Sequence, residues 1–263
     1  MRTMPIAFLF AASISCFAQE AMTVEWDKET AALLDKAISD NPADAIPARD
    51  EILEVGRPCV PALRAALKDP KAAKRFFACE LLGDIHDPAA VADIATLLED
   101  LVEERTGEPV AAAAARALGK LADASVADKL IAALDSKDLN LKYEAARALG
   151  NLRVAKAEAK LIEMLKARET KETFRGGLLP AAACEALGKL RSQAALPEIV
   201  IMLDSQAPET LHGWSYDQFA IMALERISGE SKGAWDEEKK KEETKKLWKE
   251  WYAKQPKVPA PPK

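Results

Sequence analysis

Residue types that carry catalysis are scarce in this chain and poorly spaced for it. The 263 residues include two histidines, His86 and His212. His86 stands beside Asp87-Pro88, where a polar turn residue is expected, and His212 has no neighbouring Cys, Asp or second His to complete a metal site. No HExxH, CxxC, GxSxG or phosphate-cradling glycine motif occurs. No catalytic residue, metal ligand or cofactor site is therefore expected. What remains is recognition chemistry. Residues 167–180 contain Phe174-Arg175-Gly176-Gly177, and residues 205–218 contain His212-Gly213-Trp214-Ser215-Tyr216. Arg, Trp and Tyr are the types that dominate binding interfaces, so Phe174, Arg175, Trp214 and Tyr216 are candidate partner contacts. The competing reading is that Phe174 and Trp214 fold back over the edge of the fold.

A returning phrase shows what must position these residues. It reads Ala-Cys-Glu-Leu-Leu-Gly-Asp-Ile at 78–85, Ala-Ala-Arg-Ala-Leu-Gly-Lys-Leu at 114–121, Ala-Ala-Arg-Ala-Leu-Gly-Asn-Leu at 145–152 and Ala-Cys-Glu-Ala-Leu-Gly-Lys-Leu at 183–190. A worn copy at 220–227 has Glu225 in the glycine slot. With the glycine as position zero, −5 is always Ala, −1 always Leu and +2 always Leu or Ile. Offsets of three and four make one apolar helix face. The small residues at −5, −4 and −2 let neighbouring helices approach. A second helix follows each phrase, with Ile94, Leu130, Leu161 and Ile199 at +11 and Leu98, Leu134, Leu165 and Leu203 at +15. Val55-Gly56 reads as the end of an earlier copy. Helix pairs at this period stack into a solenoid.

The phrase and its second helix resemble the HEAT-like repeats named after phycobilisome lyases, over roughly residues 44–229. The resemblance implies an all-α solenoid of about five to six helix pairs, with the glycine-bearing helices lining the concave face. It marks scaffolds, adaptors and a few lyase subunits alike, so it constrains fold more than function.

Two surfaces are candidates for binding. The first is a rim. From the closing Leu of each second helix to the next −5 Ala the distance is 11 for Leu67–Ala78 and Leu134–Ala145, but 16, 18 and 17 for Leu98–Ala114, Leu165–Ala183 and Leu203–Ala220. All three long loops fall at the same junction, so they should emerge along one edge, with 167–180 and 205–218 as neighbours. The second is the concave stripe at −7, −3 and +1. It carries Arg116, Lys120, Tyr143 and Arg147, flanked by Glu80, Asp84 and Glu185. This basic centre could grip an acidic peptide or polyanion. Alternatively Arg116 pairs with Glu80 and Arg147 with Glu185 between neighbouring repeats, contributing little stability if exposed.

Composition narrows the partner. Net charge is −5, which argues against nucleic acid and leaves a protein or peptide, its identity and the oligomeric state open. Residues 1–18 read as a secretory leader, with Arg2, an apolar run and a small-residue cleavage site. Export to the periplasm or beyond is expected. The alternative, a lipoprotein box acylated at Cys16, fits less well because Ser13 is a poor opening residue. No other segment is apolar enough to cross a membrane. The mature chain keeps Cys59, Cys79 and Cys184, an odd set that makes no disulfide framework; only Cys59 with Cys79, in adjacent helices, is a candidate pair.

The expected organisation is a capping helix within 19–42, the solenoid over 43–230, a charged capping helix within 231–254 and a Pro-rich tail at 255–263. The basic C-terminal helix, with Trp248 and Trp251 on its apolar face, could instead bring the protein to an anionic surface. The function expected is a non-catalytic scaffold or adaptor of the cell envelope. A surface-associated structural role and a non-catalytic subunit of a lyase-like complex are the alternatives.

Overall fold

The structure is a computed structural model that describes residues 16–103, 107–205, 215–233 and 238–256. Most of the expected leader therefore lies outside the described residues, as do residues 257–263. The described chain is all α. Its helices are α1 (Cys16–Ala37), α2 (Pro42–Val55), α3 (Val60–Ala66), α4 (Ala72–Ile85), α5 (Val91–Ile94), α6 (Val110–Leu121), α7 (Ala127–Ala133), α8 (Leu139–Asn151), α9 (Glu158–Ala167), α10 (Leu179–Leu190), α11 (Leu196–Met202), α12 (Tyr216–Ser228) and α13 (Glu238–Ala253). They pair in succession, α1 with α2 through α11 with α12, and α13 closes on α11 and α12. The first helix, Cys16–Ala37, begins before the 19–42 span expected to hold the capping helix.

The layers are unequal, and the phrase explains why. Helices α4, α6, α8, α10 and α12 pack side by side far more closely than their partners do. Each phrase glycine faces the −2 alanine of the next repeat. A Cβ on Gly83, Gly119, Gly150 or Gly188 would lie 2.9, 2.9, 2.7 or 2.8 Å from the Cα of Ala117, Ala148, Ala186 or Ala223. Only a missing side chain permits that approach. Helix α12 is the last of this layer, so Glu225 has no successor to meet, and the glycine is dispensable there. Two layers joined at every turn must curve toward the tighter one, which puts α4 to α12 on the concave side.

Each of four phrase helices then stops on a left-handed residue at +3: His86, Ala122, Arg153 and Arg191, with φ between 52° and 58°. His86 is thus a turn residue, its Nδ1 3.1 Å from the Lys120 carbonyl. Gly56 corrects the sequence reading. It ends α2 at φ +72° and faces only a carbonyl 3.8 Å away, so it is a chain-reversal glycine and not a packing one.

The far end is tied down by charge as well as burial. Trp248 is fully buried and meets Trp251 edge to face at 5.4 Å. Lys241 and Lys245 of α13 both reach Asp217 of α12, at 2.9 and 2.8 Å. Burial pushes the Asp217 carboxyl up, but hydrogen bonds from Lys245, Ser215 and Lys241 outweigh it and hold the group below the usual carboxylate range.

Candidate functional site

The two surfaces read separately from the sequence meet in one place. Tyr143 and Arg147 stand one turn apart on α8. The loop before α10 supplies Arg175, Gly176, Gly177 and Leu178, while α10 adds Ala181 and Glu185 and α12 adds Phe219 and Met222. Together they enclose an open groove of about 470 Å³, with Arg116 and Glu144 at its base.

The loop is built to reach this position. It leaves α9 through Arg168 at φ 48° and closes as a tight turn. The Thr173 N–H donates to the Gly177 carbonyl (2.9 Å), the Gly176 N–H to the Thr173 carbonyl (2.8 Å), and the Gly177 N–H to Thr173 Oγ1 (2.9 Å). Gly177 then lies against the Tyr143 ring, where a Cβ would come within 2.5 Å. The Phe174 N–H donates to Asn140 Oδ1 at the start of α8. In the sequence the glycine pair marks only a loop; Gly177 is required by the ring beneath it and Gly176 by its φ of 70°.

Arg175 extends further. Its Nε donates to Glu108 Oε2 at 2.9 Å, although Glu108 lies in the preceding long loop, two junctions back. Between them is the short junction from α7 to α8, so the two long loops meet above the gap it leaves. The expected neighbour of 167–180 was instead 205–218. Residues 206–214 of that loop, Trp214 and His212 included, lie outside the described residues.

Behind the groove is a buried charge cluster. Arg116 contacts Glu80, Glu108 and Glu144 at once, with its Nε donating to Glu144 at 3.0 Å. Burial alone would lower the basicity of Arg116, but Glu144, Glu80 and Glu108 together raise it. The reverse holds for Glu144. Burial pushes its carboxyl up, and Arg116 and Arg147 only partly oppose this, because Arg116 is shared among three acids. Glu185 goes the other way: burial raises it, but the hydrogen bond from Lys189 and the charges of Arg147 and Arg226 lower it.

The candidates therefore separate. Tyr143, Arg147 and Arg175 line the groove. Arg116 does not present a charge to solvent, since its side chain is only 10% exposed and is saturated by carboxylates. Lys120 pairs with Asp84 at 2.6 Å and stands outside the groove. Phe174 is 50% exposed on the tip of its loop and does not fold back into the core. Tyr216, read as a rim contact, is a correction. It opens α12, is 3% exposed, and its hydroxyl donates to the Glu169 carbonyl at 3.2 Å. Both stripe pairs form, Arg116 with Glu80 and Arg147 with Glu185, the latter at 3.7 Å.

Four important residues escaped the sequence reading: Glu108, Glu144, Phe219 and Met222. Glu144 had a usable signal. It occupies the −6 slot, where the other copies place Phe77, Ala113, Ala182 and Phe219. A carboxylate in an apolar slot should have a buried cation nearby. Cys59, Cys79 and Cys184 are free and buried, and burial pushes the Cys79 and Cys184 thiols far up, leaving them poor nucleophiles. Among the described residues no helix is long and apolar enough to cross a membrane.

The family of HEAT repeats matches residues 101–175, a span that includes Glu108 and ends at Arg175. The chain carries HEAT-like repeats. No curated protein matches it. Among solved structures, one from the complex of CpcE and CpcF of phycocyanin lyase from Nostoc sp. PCC7120 is 30% identical, with a TM-score of 0.55 over 65% of this chain and 65% of its own. This chain thus spans less than two thirds of that protein's length. A designed armadillo repeat protein in complex with the peptide (KR)4 is 18% identical, with a TM-score of 0.49 over 76% of this chain and 99% of its own. An engineered protein matches at 20% identity and a TM-score of 0.46 over 76% and 97%.

Proposed function

We propose that this protein is a non-catalytic scaffold that binds a protein or peptide partner in the concave groove between α8, α10 and α12. The observation that carries the reading is the convergence of Tyr143, Arg147 and Arg175 from two separate segments onto one groove, to which Leu178, Ala181, Phe219 and Met222 add apolar surface. Binding sites typically combine mainly apolar lining with a few placed polar groups, and interface energy concentrates in aromatic and Arg side chains. The leader-like pattern of residues 1–18 supports placing this scaffold in the cell envelope. The test is capture from an envelope extract on the mature chain and on a Tyr143→Ala/Met222→Ala variant with an unchanged helical melting curve. Loss of the retained partner on the variant is expected. Equal retention would move binding off the groove.

One finding favours a second reading. The 30% identical structure belongs to a lyase complex of two proteins, so this chain could serve as a subunit whose partner carries the chemistry. Turnover that appears only on mixing the chain with its captured partner would support that reading. A role for the C-terminal helix at an anionic surface has less support, because Lys241 and Lys245 are committed to Asp217 and Lys249 to Asp204.

A further inference from the structure

The charges around the groove are unequally matched, and this defines the partner's chemistry. Glu144 has its closer contact with Arg116, at 3.0 Å, and Glu185 with Lys189, at 2.6 Å. Arg147 lies 3.7 Å from each of these acids, so both carboxylates have a better partner. Its Nε is shielded from solvent and makes no hydrogen bond, yet the side chain as a whole is 40% exposed. Arg175 is 47% exposed; it holds Glu108 at 2.9 Å and lies 3.9 Å from Glu80, and Arg116 also holds both of these acids. Two guanidinium groups with spare donors thus border the same groove. The α12 side of the groove, Phe219 and Met222, carries no charge, and Glu185 on the α10 side is held by Lys189.

We propose that the groove takes an extended, acidic peptide segment of a partner protein, in which a carboxylate lies close to an aromatic or aliphatic side chain. The carboxylate bridges Arg147 and Arg175, whose forked donors suit its two oxygens. The apolar side chain rests on Tyr143, Phe219 and Met222. A basic peptide would meet two facing cations and be repelled. The proposal rests on the groove reading above and adds to it the sign of the partner's charge.

Selection of a phage-displayed library of random 12-residue peptides on the full mature chain tests this. Enriched sequences should carry Asp or Glu near Phe, Trp or Leu. A synthetic peptide of the best sequence, measured by fluorescence anisotropy, should bind about tenfold more weakly when its acids are replaced by the matching amides, a loss typical of one well-made charged contact. Arg147→Gln alone, and Arg147→Gln/Arg175→Gln together, should cause a similar loss, while Lys156→Gln on the outer layer should not. The single variant keeps the test sound if the double variant melts early, because Arg147 makes only long contacts. Enrichment of basic or uncharged peptides whose binding still falls on Tyr143→Ala would overturn the charge assignment and leave the groove reading intact. Peptides indifferent to both Tyr143 and Arg147 would overturn both.

Discussion

Arg116 and Arg147 occupy the same −3 position in consecutive repeats, and the fold treats them oppositely. Arg116 is enclosed by Glu80, Glu108 and Glu144 and is 10% exposed; Arg147 touches its acids only at 3.7 Å and is 40% exposed. Their helices, neighbours and phrases are nearly identical, so the repeat itself is not the cause. The difference lies in the junction that precedes each helix. A long loop precedes α6 and lowers Glu108 onto Arg116. A short junction precedes α8, so no acid arrives above Arg147, and the loop before α10 brings Arg175 beside it instead. Repeat position sets where a side chain stands, and junction length decides whether it is covered.

The largest expected effect follows from this contrast. Arg116→Met leaves three carboxylates in a buried site without their shared cation. It should cost about 3–5 kcal/mol, the usual range for breaking a buried ion cluster from one side. Arg147→Met removes only long, half-exposed contacts and should cost under about 1 kcal/mol. Urea unfolding followed by circular dichroism measures both. Equal losses would break the comparison and place Arg147 within the structural cluster.

Next in size is the spacing beneath the groove. A Cβ on Gly150 would lie 2.7 Å from Ala186 Cα, and one on Gly83 2.9 Å from Ala117 Cα. Gly150→Ala and Gly83→Ala should each destabilise the protein by about 1–3 kcal/mol, since both overpack a helix contact that cannot relax cheaply. Only the first pair of helices, α8 and α10, forms the groove. Gly150→Ala should therefore also weaken binding of the selected peptide, and Gly83→Ala should leave it unchanged.

The same contrast explains which parts of the molecule were legible beforehand. The layer of glycine-bearing helices, its pairing and the stripe that holds Arg116 and Arg147 all follow from local spacing, because one helix turn fixes which residues share a face. Loop lengths were legible as numbers too. Their consequence was not, because Glu108 and Arg175 are 67 positions apart and their meeting depends on how far each loop folds back. Tyr216 failed for a related reason. It was assigned to a loop, but α12 begins at that residue, and its ring turns into the core. The irregular Glu225 is legible in the sequence, and its cause, that no further phrase helix packs beyond α12, is visible only once the layer is assembled.

A smaller effect should appear with pH. Burial raises the Glu144 carboxyl above its unfolded value, so between the two the native state holds the proton more firmly. Stability should therefore fall as pH rises from the ordinary glutamate range, about 4.3, through the raised value. Asp217 and Glu185 are lowered, so their contributions are lost as pH falls below the ordinary range, and the signs oppose. Glu144→Gln should flatten the descent on the alkaline side and leave the acid limb unchanged. Denaturant midpoints from pH 3 to 8, scanned for both proteins, read this directly. A wild-type midpoint that does not decline above the glutamate range would mean that Arg116 and Arg147 together hold Glu144 ionised throughout.

The smallest effect separates stability from binding. Ala122 ends α6 at φ 58°, a conformation that an L residue with a Cβ adopts at some cost. Ala122→Gly removes that strain but adds freedom to the unfolded chain, and the balance at a left-handed helix end should favour the folded state by about 0.5–1 kcal/mol. The residue belongs to the closed side of the comparison, ending the helix that carries Arg116. Its replacement should therefore raise the melting temperature with no change in peptide affinity. A rise accompanied by weaker binding would show that the end of α6 influences the groove through Arg116 and Glu144, and the two arginine sites would then be coupled rather than merely adjacent.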